Sequence, residues 1–133
     1  MDLQLSINKL SDALQVPLKY ENGYISGLSK MVFQPFPGFS MPITVDTRKL
    51  FMNEVVGIVF SVAGNLSIMA SHFPKTGAVS MFLLDISKIG GMNPEGIIAK
   101  TMNLKQAVAA VRPAIVASFI WKDRKWSTLN LPA

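Results

Sequence analysis

The stretch Val55–Ile86, VVGIVFSVAGNLSIMASHFPKTGAVSMFLLDI, holds three apolar runs separated by two turn signals. Val55–Val62 is rich in β-branched residues and stops at Ala63-Gly64-Asn65, where Gly and Asn tolerate positive φ. Leu66, Ile68 and Ala70 then alternate with Ser67, Met69 and Ser71, and that period of two marks a half-buried strand. Pro74-Lys75-Thr76-Gly77 turns the chain into Ala78–Ile86, where Asp85 is the only clear polar break. The expected unit is a three-stranded antiparallel meander whose outer strands are apolar on both faces.

Upstream of it, Ile7, Leu10 and Leu14 recur at helical spacing within Ser6–Gln15. Ser6 is placed to cap that helix and Pro17 to stop it. Leu3, Leu5 and Ile7 also alternate, so a strand is the alternative at this end. Asn22-Gly23, inside Leu18–Ile25, is the strongest two-residue hairpin signal and would bring Tyr20 and Tyr24 together at the tip. Met41–Val45 reads as a short strand entering the polar link Asp46–Lys49.

Downstream, Lys88–Pro94 is a linker with Gly90-Gly91 and Asn93-Pro94, and its Asn-Pro-Glu order can open a helix. Ile97–Met102 fits helix or strand equally. Asn103 with Gln106 resembles a capping box, followed by an apolar face of Leu104, Ala107, Val108 and Val111 that ends at Arg112-Pro113. The last element is a hairpin: Ala114–Trp121, a tip at Lys122–Lys125, and a return over Trp126–Leu131; a two-residue loop at Asp123-Arg124 or a four-residue loop at Lys122–Lys125 equally sets Trp121 opposite Trp126. Hairpins alternating with one or two short helices imply a mainly β, β-rich α+β fold. The expected architecture is a single antiparallel sandwich or partial barrel with the helices at its edge.

The chain has 133 residues, which fits one domain over 1–133 with a single core. Half its residues are apolar and only 16% are charged, against roughly 25% in a typical soluble domain. Part of the surface is therefore expected to be covered by other subunits. The net charge of +5 arises from 13 basic against eight acidic residues, which permits an anionic partner without demanding one. No apolar run approaches the ~20 residues of a bilayer-crossing helix. The start, Met1-Asp2-Leu3-Gln4, lacks the basic region of a secretory signal. Virion or cytoplasm is the expected location.

Met31–Pro42 stands apart, with three prolines and a glycine in twelve residues. That composition rules out helix and central strand and favours an extended left-handed arm with three residues per turn. At that spacing Phe33, Phe36 and Phe39 fall on one side. The plain reading is a loop held over its own core by those rings. The alternative is a stiff arm that docks on a neighbouring subunit through Phe33, Phe36, Phe39 and Met41.

Groups for catalysis are scarce. There is no cysteine and one histidine, His72, just before Phe73-Pro74, expected at a turn or edge although formally able to join a triad. No nucleophile motif of the Gly-x-Ser-x-Gly type accompanies it. The eight carboxylates are dispersed, with no local acid pair and no metal-loop spacing. Gly90-Gly91 lacks the remaining residues of a phosphate loop. Neither enzymatic activity nor a metal or other cofactor is expected.

The one binding-type cluster is Lys122, Arg124 and Lys125 flanked by Trp121 and Trp126. Cationic side chains beside aromatic faces hold single-stranded nucleic acid; the plain reading is a solvated tip on a tryptophan-pinned hairpin. Two functions are therefore expected. The first is a structural subunit that self-associates or docks into a larger assembly, by analogy a virus-particle or phage-tail component. The second is a single-stranded nucleic-acid-binding protein.

Overall fold

The computed structural model describes residues 3–36, 39–52, 54–89 and 103–131. The linker at Gly90-Gly91, the Asn93-Pro94-Glu95 helix start and the ambiguous 97–102 segment fall outside that set.

The meander forms as its sequence dictates. β7 (Val56–Ala63), β8 (Leu66–Phe73) and β9 (Ala78–Asp85) pair antiparallel, with an unbroken register between β8 and β9 and a shift between Ser61 and Ala63 in the β7–β8 ladder; Gly64 and Gly77 take the positive φ of the two turns. β6 (Phe51–Met52) extends the sheet beyond β7. β10 (Ile115–Lys122) and β11 (Lys125–Thr128) extend it beyond β9, giving six strands in the order β11-β10-β9-β8-β7-β6. A second sheet of three short strands holds β1 (Lys19–Glu21), β2 (Tyr24–Ser26) and β5 (Arg48–Lys49). Arg48 Nε donates to Val59 O at 3.1 Å and so fastens it to β7. The fold is β-rich α+β and antiparallel in every described pairing.

The helices lie on the faces of the large sheet, which corrects the expectation that they sit at its edge. Helix α1 (Leu3–Leu14) carries the buried stripe Ser6, Ile7, Leu10, Ala13 and Leu14. With Ile25 and Leu28 it covers Val56, Ile58, Phe60, Ile68, Ala70, Met81 and Phe119 on one face. Helix α2 (Leu104–Val111) covers Val59, Met69, Phe82 and Leu84 on the other through Ala107, Val108 and Val111. A sheet enclosed from both sides buries consecutive residues. β8 is accordingly buried along almost its whole length and is not half-buried as its alternation implied. The outer strands, apolar on both faces, find both partners within the same chain.

The N-terminal residues are helical, so the strand alternative for Leu3–Ile7 does not hold. Ser6 belongs to the buried stripe and is not the cap. The helix ends in a Schellman arrangement: Val16 N donates to Ser11 O and Gln15 N to Asp12 O, each at 3.2 Å, with Gln15 at φ 59°. The Asn22-Gly23 turn forms with both residues at positive φ. Its register pairs Tyr20 with Ile25 and Tyr24 with Glu21. Tyr20 therefore faces the core while Tyr24 faces solvent, and the two tyrosines are not neighbours.

The proline-rich arm is a two-stranded antiparallel ribbon, β3 (Val32–Phe36) with β4 (Phe39–Pro42), and not a left-handed extended helix. Each strand of an isolated pair has an outer side that requires no ladder donor, and the register shifts between Phe33 and Phe36, so Pro35 is tolerated. The ladder stops at Pro42, short of the Val45 limit read from sequence. The side chains of Phe33, Phe36, Phe39 and Met41 lie outside the described set. At α2, Asn103 Oδ1 accepts from Gln106 N at 2.9 Å, as the capping signal requires.

Candidate functional site

Among the described residues, the candidate places are a buried Ser6–His72 pair, the β10–β11 tip with the groove beside it, and the β3–β4 ribbon.

His72 lies in the central strand β8, not at a turn or edge, and is 1% exposed. Its cross-strand neighbours are Val56 and Val79, and its Nδ1 stands 2.7 Å from Ser6 Oγ. Burial, with a smaller contribution from Lys9, pushes the imidazole below its ordinary 6.5 and favours the neutral ring. A serine beside a neutral histidine is the chemistry of an activated nucleophile. Here both residues are sealed from solvent, and neither lines the groove beside the β10–β11 tip. The pair joins α1 to the sheet.

Asp46 and Asp85 are each held by a serine, Asp46 by Ser29 from 17 residues away and Asp85, at the end of β9, by Ser87 two residues on. The Ser29 hydroxyl and backbone N–H hold the Asp46 carboxyl below the usual carboxylate range. The Ser87 hydroxyl, 2.6 Å from Asp85, does the same there. Among the described residues no group of three or more His, Cys, Asp or Glu is placed to hold a metal ion, and no helix is long and apolar enough to cross a membrane.

At the tip, Asp123 and Arg124 form a two-residue turn with φ 54° and 61°. Trp121 pairs with Trp126 across the hairpin, as expected, with ring centroids 5.2 Å apart at 61°. The register also sets Lys122 directly opposite Lys125. Side chains alternate along a strand, so the tryptophan pair and the lysine pair occupy opposite faces of the hairpin. The indoles turn toward the core face, where Trp126 Nε1 donates to Ala13 O at 3.1 Å. Arg124 shares the tryptophan side and approaches Asp12 at 4.0 Å. Sequence placed these five residues on one tip; strand parity splits them between two surfaces.

The β3–β4 ribbon is hydrogen-bonded to neither of the other sheets, and Val32 at its base is 64% exposed. Comparison with known proteins finds no matching family model, curated protein or solved structure.

Proposed function

We propose that the protein is a non-enzymatic structural subunit that associates with copies of itself or with other subunits through the β3–β4 ribbon. A virus particle or phage tail is the kind of assembly it suits. The ribbon carries this reading. A lone two-stranded hairpin is marginally stable in water, yet this one, of sequence VFQPF and FSMP, stands outside both sheets. The sheet edges offer less, because β6 has two residues and β11 is short and begins with Lys125. The sheet faces are filled internally and no longer argue for a partner.

Burying three phenylalanines contributes about 5–9 kcal/mol, comparable with association costs of about 4–15 kcal/mol. In a twofold arrangement each copy donates its ribbon, and the contribution counts twice against one such cost. Phe36→Ser with Phe39→Ser is expected to dissolve the assembly while circular dichroism of the monomer stays unchanged. An assembly that persists in this variant removes the ribbon from the role.

Lys122 facing Lys125 favours the second reading, nucleic-acid binding. Like charges placed directly opposite oppose the hairpin's own stability, and a bound phosphate relieves them. Affinity for oligothymidylate that falls steeply with salt, and drops on Lys122→Ser with Lys125→Ser, is the expected sign. Salt-insensitive or absent binding at low ionic strength rejects it.

A further inference from the structure

Among the described residues, four that are not glycine take positive φ: Gln15, Asn22, Asp123 and Arg124. Asn22 belongs to an Asn-Gly turn, where asparagine is a favoured residue. Of the other three, Gln15 and Arg124 line one groove, and Asp123 is the neighbour of Arg124 in the turn beside it. The groove lies between the C-terminal half of α1 and the β10–β11 turn, holds about 720 Å³, and is lined by Asn8, Asp12, Gln15, Trp121 and Arg124 among others.

Gln15 occupies the position just past the helix end, where glycine is usual because a Cβ in the left-handed region crowds the following carbonyl. Arg124 occupies the second central position of a turn that glycine dominates. Two side chains thus stand where glycine would relax the backbone, and both line the same groove. Strain of this kind gathers where side chains are needed for binding.

The lining sets the ligand class. Asp12 and Arg124 approach to 4.0 Å, so their charges cancel, while Lys122 and Lys125 point to the other face of the hairpin. Gln4 Nε2 donates to Asn8 Oδ1 at 2.8 Å, which leaves the Asn8 NH₂ group as a donor. The groove therefore presents planar donors and acceptors, a half-buried indole and no net charge. A polyanion would meet Asp12 with a single cation beside it.

We propose that this groove binds a neutral polyhydroxyl ligand, a mono- or disaccharide, with Trp121 under the sugar ring and Asp12, Asn8, Gln15 and Arg124 on its hydroxyls. Each sugar hydroxyl both donates and accepts, and a vicinal pair matches the two-point geometry of carboxylate and guanidinium. The C–H face of a pyranose is apolar and covers an indole. The volume falls within the range of small-molecule sites.

Of the chain's two tryptophans, Trp121 lines this groove and Trp126 packs edge-on against Trp121 with ring centroids 5.2 Å apart, so intrinsic fluorescence reports on the groove. Native protein is titrated with lactose, maltose, cellobiose and N,N′-diacetylchitobiose, and with oligothymidylate for comparison. The expected result is a saturable emission shift with at least one sugar in the millimolar range. Gln15→Gly and Arg124→Gly relieve the backbone, so both are expected to fold and to melt no lower than the native chain, yet to bind at least about tenfold more weakly. No saturable shift with any of the four sugars overturns the assignment. So does undiminished binding in both glycine variants, or a saturable shift with oligothymidylate alone.

Discussion

Ser6 Oγ and His72 Nδ1 stand 2.7 Å apart, joining residues 66 positions distant in the chain. Ser6 is 0% and His72 1% exposed, so this bond ties α1 to the central strand within the core. Removing one partner leaves a buried polar atom unmatched, which costs about 1–3 kcal/mol. Ser6→Ala is expected to lower stability by that amount in urea unfolding, although alanine is the better helix former.

The same pair sets a pH dependence. Burial, and then Lys9 on α1, hold folded His72 below its ordinary 6.5; the cross-strand neighbours Val56 and Val79 carry no charge. The unfolded chain therefore binds more protons once pH falls below about 6.5. Stability is full above that pH and declines down to the folded pKa. The lowered Asp46 and Asp85 carboxyls act only below 3.8, so the windows separate. Denaturant titrations at pH 7.5 and pH 5.5 are expected to show the loss in the native chain and not in His72→Gln. Equal losses in both proteins would place the titrating group elsewhere.

Gly57 is buried in β7, and a Cβ built there would lie 2.8 Å from Ala70 O and 3.1 Å from Ser71 Oγ. The nearer obstacle is backbone of a paired strand and has little room to yield. Gly57→Ala is expected to destabilise by about 1–3 kcal/mol, read as a lower denaturant midpoint.

Ser80, directly opposite Ser71, is fully buried and its hydroxyl has no partner. Deleting an unmatched polar atom removes a desolvation penalty. Ser80→Ala is expected to leave stability unchanged or raise it by about 1 kcal/mol, with thermal unfolding as the check. A loss of that size would show that the hydroxyl is bonded in solution.

What was legible in the sequence is what neighbours in sequence decide. Gly64 and Gly77 turn the meander, Asn22-Gly23 takes two positive φ values, Asn103 caps α2 and Trp121 meets Trp126. What was not legible depends on partners far along the chain. Ser6 fits a cap and a buried stripe equally well until His72 arrives from 66 residues away. Tyr20 and Tyr24 look adjacent until register fixes strand parity, and the same parity separates Lys122 and Lys125 from the tryptophans. The prolines of the arm exclude a central strand but not an isolated ribbon. Gln15 carries no sequence mark of its left-handed backbone, because a residue with a Cβ does not announce one, whereas Arg124 lies in the tip that the sequence marks as a turn.

The claim that this chain is an assembling subunit meets its most direct test in size-exclusion chromatography with light scattering at high micromolar concentration. The predicted result is a discrete species at a multiple of 14.5 kDa, reduced to the single-chain mass by Phe36→Ser with Phe39→Ser. A monodisperse native species at 14.5 kDa would contradict self-assembly through the ribbon.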